Sequence, residues 1–131
     1  QNIFFDGQIY DAYSFVNDLL KLAKSEIVLI DNYIDDTVFT LFSKYPNINF
    51  TIYTSTISKQ LKLDFEKYSK QYKNISLKTF KSSHDRFLII DKKEIYHLGA
   101  SLKDLGKKWF AFSKMSLNSL NLDDILHKLE V

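Results

Sequence analysis

Ser82-Ser83-His84-Asp85-Arg86-Phe87-Leu88-Ile89-Ile90-Asp91 joins the densest polar cluster of the chain to an unbroken apolar run. Residues 86–91 read as a strand. Only Lys92-Lys93 separates it from a second β-rich run at residues 94–98, as in a tight hairpin. Side chains alternate along a strand, so His84 and Arg86 share one face while Asp85 and Phe87 share the other. An imidazole and a guanidinium side by side suit a phosphodiester. The Arg would bind non-bridging oxygens, and the His would attack phosphorus or move a proton.

Outward from this stretch the chain alternates between helical and extended patterns. Ala12, Phe15, Val16, Leu19, Leu20 and Ala23 recur at three- and four-residue steps and predict an amphipathic helix over residues 11–24. Residues 27–30 read as a central strand ending in a polar turn, where Asp35 or Asp36 caps a helix over 37–44 that stops before Pro46. A strand over 49–54, a charge-rich helix over 58–72 capped by Ser58, and strands over 75–80, 86–91, 94–98 and 109–115 follow. A terminal helix covers 119–129. This rhythm predicts an α/β fold with a mixed sheet flanked by helices on both faces.

At 131 residues the chain has room for one domain, residues 1–131, with one core. Zero cysteines exclude a disulfide scaffold, a zinc ribbon and a Cys nucleophile, and suit a reducing compartment, so a cytoplasmic location is expected. No apolar run approaches the roughly 20 residues that span a bilayer, and no membrane partner is expected. The start at Gln1 reads as a fragment of a longer protein. A net charge of +2 is too small for a global field effect on nucleic acid, so any such site is local. Of the 18 basic residues 17 are Lys, and the one Arg is Arg86, whose planar fork grips an anion in two places where Lys is a point charge.

His84-x-Arg86-x-x-x-x-Asp91 resembles the HxKxxxxD signature of the phospholipase D superfamily, with Arg in place of Lys. Composition alone gives such a match an expected count of about 0.05. Gly99-Ala100-Ser101 resembles the Gly/Ser turn that follows the signature, and Asp31-Asn32-Tyr33-Ile34 is similar to the family's early strand end. The stretch from Phe4 to Phe110 is also similar to C-terminal regions of bacterial mobile-element proteins with an N-terminal phage-type DNA-binding domain. The resemblance implies a phospholipase D-like nuclease domain that works without metal or cofactor through a phosphohistidine intermediate. It implies two motifs per site, and hence a homodimer, since one chain carries one motif. His84 would be nucleophile in one subunit and general acid in the other. Arg86 would clamp the phosphate, Ser101 and Lys103 would complete the oxyanion contacts, and Lys103, Asp31 and Tyr33 would touch substrate. Nucleic acid is the expected partner.

Two departures favour a rival in which the same fold recognises phosphate without turnover, as a DNA-binding or oligomerisation module. One is the single motif. The other is the missing Glu where Phe110-Ala111-Phe112-Ser113-Lys114 stands, which leaves Asp104 and Asp31 as candidates for orienting His84. Asp91 lies seven strand residues from His84, about 23 Å, and is expected to be structural. Plainer roles are also weighed. Asp85 neutralises Arg86, His97 packs in its strand, and His127 is solvated. Lys103, Lys107 and Lys108 either solubilise a loop or meet a nucleic-acid backbone. Trp109, Phe110 and Phe112 either pack the core or stack on bases. Asp31, Asp35 and Asp36 cap a helix rather than bind magnesium.

Overall fold

A computed structural model describes residues 2–5, 8–83, 85–105, 107, 110–115 and 119–130. His84, Lys108 and Trp109 lie outside the described residues, as does the side chain of Phe110. The chain is mixed α/β. In order it forms β1 (Asn2–Phe4), α1 (Ile9–Lys21), β2 (Glu26–Ile30), α2 (Asp36–Ser43), β3 (Asn49–Thr54), α3 (Lys59–Gln71) and β4 (Ile75–Thr79). Then come β5 (Arg86–Ile90), β6 (Glu94–Leu98), a single 3₁₀ turn at Leu102–Asp104, β7 (Phe110–Lys114) and α4 (Ser119–Glu130). Seven strands make one sheet in the order β1-β7-β6-β5-β2-β3-β4. β2, β3 and β4 run parallel, joined by helical crossovers, whereas β5 returns antiparallel to β2 and opens the antiparallel half.

Strand alternation divides the core in two. Ile27 and Leu29, Phe50 and Ile52, and Leu88 and Ile90 face one side, where they pack on Val16 and Leu20 of α1, Phe39 and Phe42 of α2 and Leu61 of α3. Val28, Ile30, Tyr53, Ile89 and Ile95 face the other side and pack on Leu122 and Leu129 of α4. The sheet is therefore covered by helices on both faces. Each buried Leu, Ile or Phe of this set contributes about 1.5–3 kcal/mol.

The helices start where their caps stand. Asp35, not Asp36, caps α2, its carboxylate accepting from Thr37 N at 3.0 Å. Ser58 caps α3 by accepting from Leu61 N at 3.1 Å. α1 begins two residues earlier and ends three residues earlier than its apolar stripe predicts. β1 has no counterpart in the sequence reading.

The β5–β6 hairpin corrects a boundary. β5 ends at Ile90, because Asp91 (φ 54°) and Lys92 (φ 56°) are both left-handed, and Lys93 N closes on Ile90 O at 3.0 Å. Positive φ at both central positions lets the turn follow the twist of its strands, and it is costly for a Lys. Lys92→Gly is expected to raise stability by about 1 kcal/mol, read as a higher midpoint in urea unfolding.

Asp91 is structural, as expected. Its carboxylate accepts from Lys24 N (2.8 Å), Ser25 N (2.9 Å), Ser25 Oγ (3.0 Å) and Glu26 N (3.0 Å), tying the hairpin to the start of β2. The backbone N–H groups of Glu26 and Lys24 hold its pKa well below the usual carboxylate range. A depressed folded-state value means that the unfolded chain takes up the proton first. The stabilisation is thus present above about pH 4 and is lost as pH falls below that. Asp91→Ala is expected to cost about 2 kcal/mol at pH 7. It should also flatten the loss of stability between about pH 5 and pH 3 in a series of thermal melts.

Candidate phosphate site

β2 and β5 pair Ile30 with Phe87, so one further step of the register sets Asp31 beside Arg86 on the α1–α3 face. At this end of the sheet a pocket of about 460 Å³ opens between Tyr33, Arg86, the turn Gly99-Ala100-Ser101, Lys103 and Asp104. Five of the seven residues singled out from the sequence line it, and Asp31 lies directly beneath. Among the described residues, Arg86 has no ion pair within 4 Å, and its Nε is enclosed without a hydrogen-bond acceptor. The one guanidinium of the chain is thus not hydrogen-bonded among the described residues, and it faces a polar hollow.

Asp31 is fully buried and knits the floor. It accepts from Tyr33 N at 3.1 Å, from Leu102 N at 3.0 Å and from Ser101 Oγ at 2.8 Å. Burial pushes its carboxyl above the ordinary range, against the pull of those backbone N–H groups, the Ser101 hydroxyl and the Arg86 charge. Asp31 is therefore sealed off from a ligand and acts as a support. Ser101, expected to meet phosphate oxygens, is also buried, and its hydroxyl serves Asp31 and the Tyr33 carbonyl (2.6 Å). Gly99 starts this turn because β7 passes closely. Gly99 N donates to Ala111 O at 2.8 Å, and a Cβ at 99 would sit 3.2 Å from the Ala111 Cβ.

Around the mouth, Lys103 Nζ lies 3.1 Å from Asp104 Oδ1, which offsets part of its charge. Tyr33 has its main chain fixed by Asp31 and Ser101 and its residue surface 66% exposed, so the ring is offered to solvent beside Arg86. Lys107 is exposed on the same loop. Asp91 stands at the far end of β5. No group of three or more His, Cys, Asp or Glu side chains suited to a metal ion occurs among the described residues.

Asp85 does not neutralise Arg86. Alternation puts it on the opposite face, where its Oδ1 lies 3.5 Å from His97 Nε2. His97 in turn meets the Phe87 ring edge-on with centroids 5.6 Å apart, and it is half-exposed rather than packed away. Phe112 is buried against Phe15, which assigns it to the core. The sequence reading missed the Asp85–His97 pair. The hairpin register, which sets His97 opposite Phe87 and so diagonal to Asp85, is the signal that finds it.

No family model and no curated protein matches the sequence. The fold is similar to that of TrmBL2, an archaeal chromatin protein whose solved structure is described as showing a novel mode of DNA binding. The TM-score is 0.59 at 16% identity, over 99% of this chain and 49% of that one. This chain spans about half the length of that relative, and at this identity the likeness is one of fold.

Proposed function

We propose that this domain is a phospholipase D-like module that recognises a backbone phosphate of nucleic acid without cleaving it. The observation that carries the reading is Arg86, the one guanidinium in the chain, half-buried and without an ion pair among the described residues at the wall of a polar pocket. Among the described residues its charge acts on the buried Asp31 but no acceptor hydrogen-bonds the guanidinium, and a phosphate oxygen pair matches its planar fork. The exposed Tyr33 ring and the nearby Lys103 and Lys107 suit the sugar and the adjoining phosphates. DNA binding by a protein of similar fold supports the choice of nucleic acid.

The same residues support a reading without turnover. The Ser101 hydroxyl is occupied, Asp31 is sealed beneath the floor, and one chain supplies one His-x-Arg motif. A second reading, metal-independent phosphodiester cleavage by a homodimer, rests on that motif, with His84 as nucleophile and general acid.

End-labelled single- and double-stranded DNA separate the two. Binding that weakens steeply between low and moderate salt, with the DNA intact in EDTA from pH 5 to 8, is expected. Cleavage in EDTA that disappears in His84→Ala establishes the enzyme instead. No binding even at low salt removes both readings.

A further inference from the structure

On the sheet face opposite Arg86, the loop after β4 and the last turns of α4 enclose a groove that the phosphate pocket does not use. Two hollows of about 360 and 490 Å³ merge there through Phe80, Ser82 and Lys128. The inner floor is apolar, formed by Ile30, Phe80, Phe87, Ile125 and Leu129. One rim is cationic, with Lys81 and Lys128 beside His127, and the inner end offers the Ser82 hydroxyl and the Asp85 carboxylate, which His97 also faces at 3.5 Å, while the Ser83 hydroxyl donates to Asp85 O at 2.8 Å.

We infer that this groove takes one unpaired nucleobase together with its phosphate. A flat ring buries its faces against the Phe80 and Phe87 side chains, as bases do on aromatic platforms. The exocyclic amine of a cytosine is a donor that matches Asp85, and its phosphate matches the two lysines across the groove. An acyl chain leaves the carboxylate and hydroxyl unused. Strand addition by a peptide needs a free edge, whereas the flooring strands β2 and β5 are both interior to the sheet.

The groove and the Arg86 pocket share one ridge. Asn32 Nδ2 donates to Ser83 O at 2.9 Å, and Tyr33, the next residue, lines the pocket. A single strand that sets a phosphate against Arg86 therefore has only the end of the sheet to cross before a neighbouring base reaches Phe80. In that form the inference rests on the phosphate reading.

The test is fluorescence anisotropy with a short oligodeoxycytidylate and a duplex of equal length, alongside titration of deoxycytidine 5′-monophosphate. Lys128→Glu, an exposed position, and Phe80→Ala are each expected to weaken single-strand binding about tenfold and duplex binding by less than about twofold. Arg86→Gln is expected to weaken both, so the pocket and the groove are read separately and either can fail alone. A tenfold loss confined to the monophosphate upholds the groove and names a free nucleotide as its occupant. If Lys128→Glu changes neither single-strand nor monophosphate binding, or costs the duplex as much as the single strand, the inference is overturned.

Discussion

Arg86→Gln weakens binding of a short DNA by about 10- to 100-fold, the loss expected for charge-assisted hydrogen bonds worth about 1.5–3 kcal/mol. The slope of log affinity against log salt concentration becomes shallower by about 0.7–0.9, the signature of one phosphate contact removed. Arg86→Lys falls between, because a point charge keeps the attraction and loses the two-pronged geometry. Thermal stability moves the other way. Nothing among the described residues hydrogen-bonds the guanidinium, so exchanging a half-buried charge for a neutral amide holds or raises the melting temperature. A variant that binds less and melts no lower is the mark of a residue retained for a ligand. A fall in both together would make Arg86 part of the scaffold.

Asp31→Ala carries the largest expected loss of stability, about 3 kcal/mol. The carboxylate is the acceptor for Tyr33 N–H and Leu102 N–H, and each buried donor left without a partner costs about 1–3 kcal/mol. For a chain of this size the melting temperature should fall by about 10 °C. Because burial raises the folded-state value of Asp31, its ionisation opposes folding. Its contribution is therefore most favourable below about pH 4, and it declines as pH rises from there through the folded-state value. Asp91 at the opposite end of the sheet works in the reverse sense. Unfolding of the wild type, Asp31→Ala and Asp91→Ala across a pH series separates the two carboxylates by the sign of the slope.

Much of the architecture was legible because it is local. The stripe Ala12, Val16, Leu19, Leu20 and the caps Asp35 and Ser58 specify helices without reference to the rest of the chain. Residues 27–30 announce an interior strand by having no polar alternate. β1 was illegible because three residues carry no period. The hairpin turn was misplaced by one residue, since Lys92 is not a residue type that signals positive φ.

The candidate site was legible in its membership and not in its wiring. Arg86, Ser101, Lys103 and Asp104 could be gathered from a motif and a Gly/Ser turn, and Tyr33 from the early strand end. That β5 returns antiparallel beside β2, and so sets Asp31 under Arg86 with Ser101 locked to it, is a long-range pairing. No local pattern encodes it. Asp85 shows the complementary case. Adjacent to Arg86 in sequence, it is divided from it by the sheet and joins His97 at the edge of the second groove.

The chain's one arginine allows the phosphate claim to be tested at a single atom. In a nitrogen-labelled sample the guanidinium Nε–H of Arg86 gives the one arginine side-chain resonance of its kind, with no assignment needed. Titration with a short single-stranded DNA at low salt is predicted to shift that resonance to saturation, in step with the anisotropy isotherm, and added salt is predicted to reverse the shift. A resonance that stays in place while the DNA binds would mean that Arg86 is not the phosphate anchor.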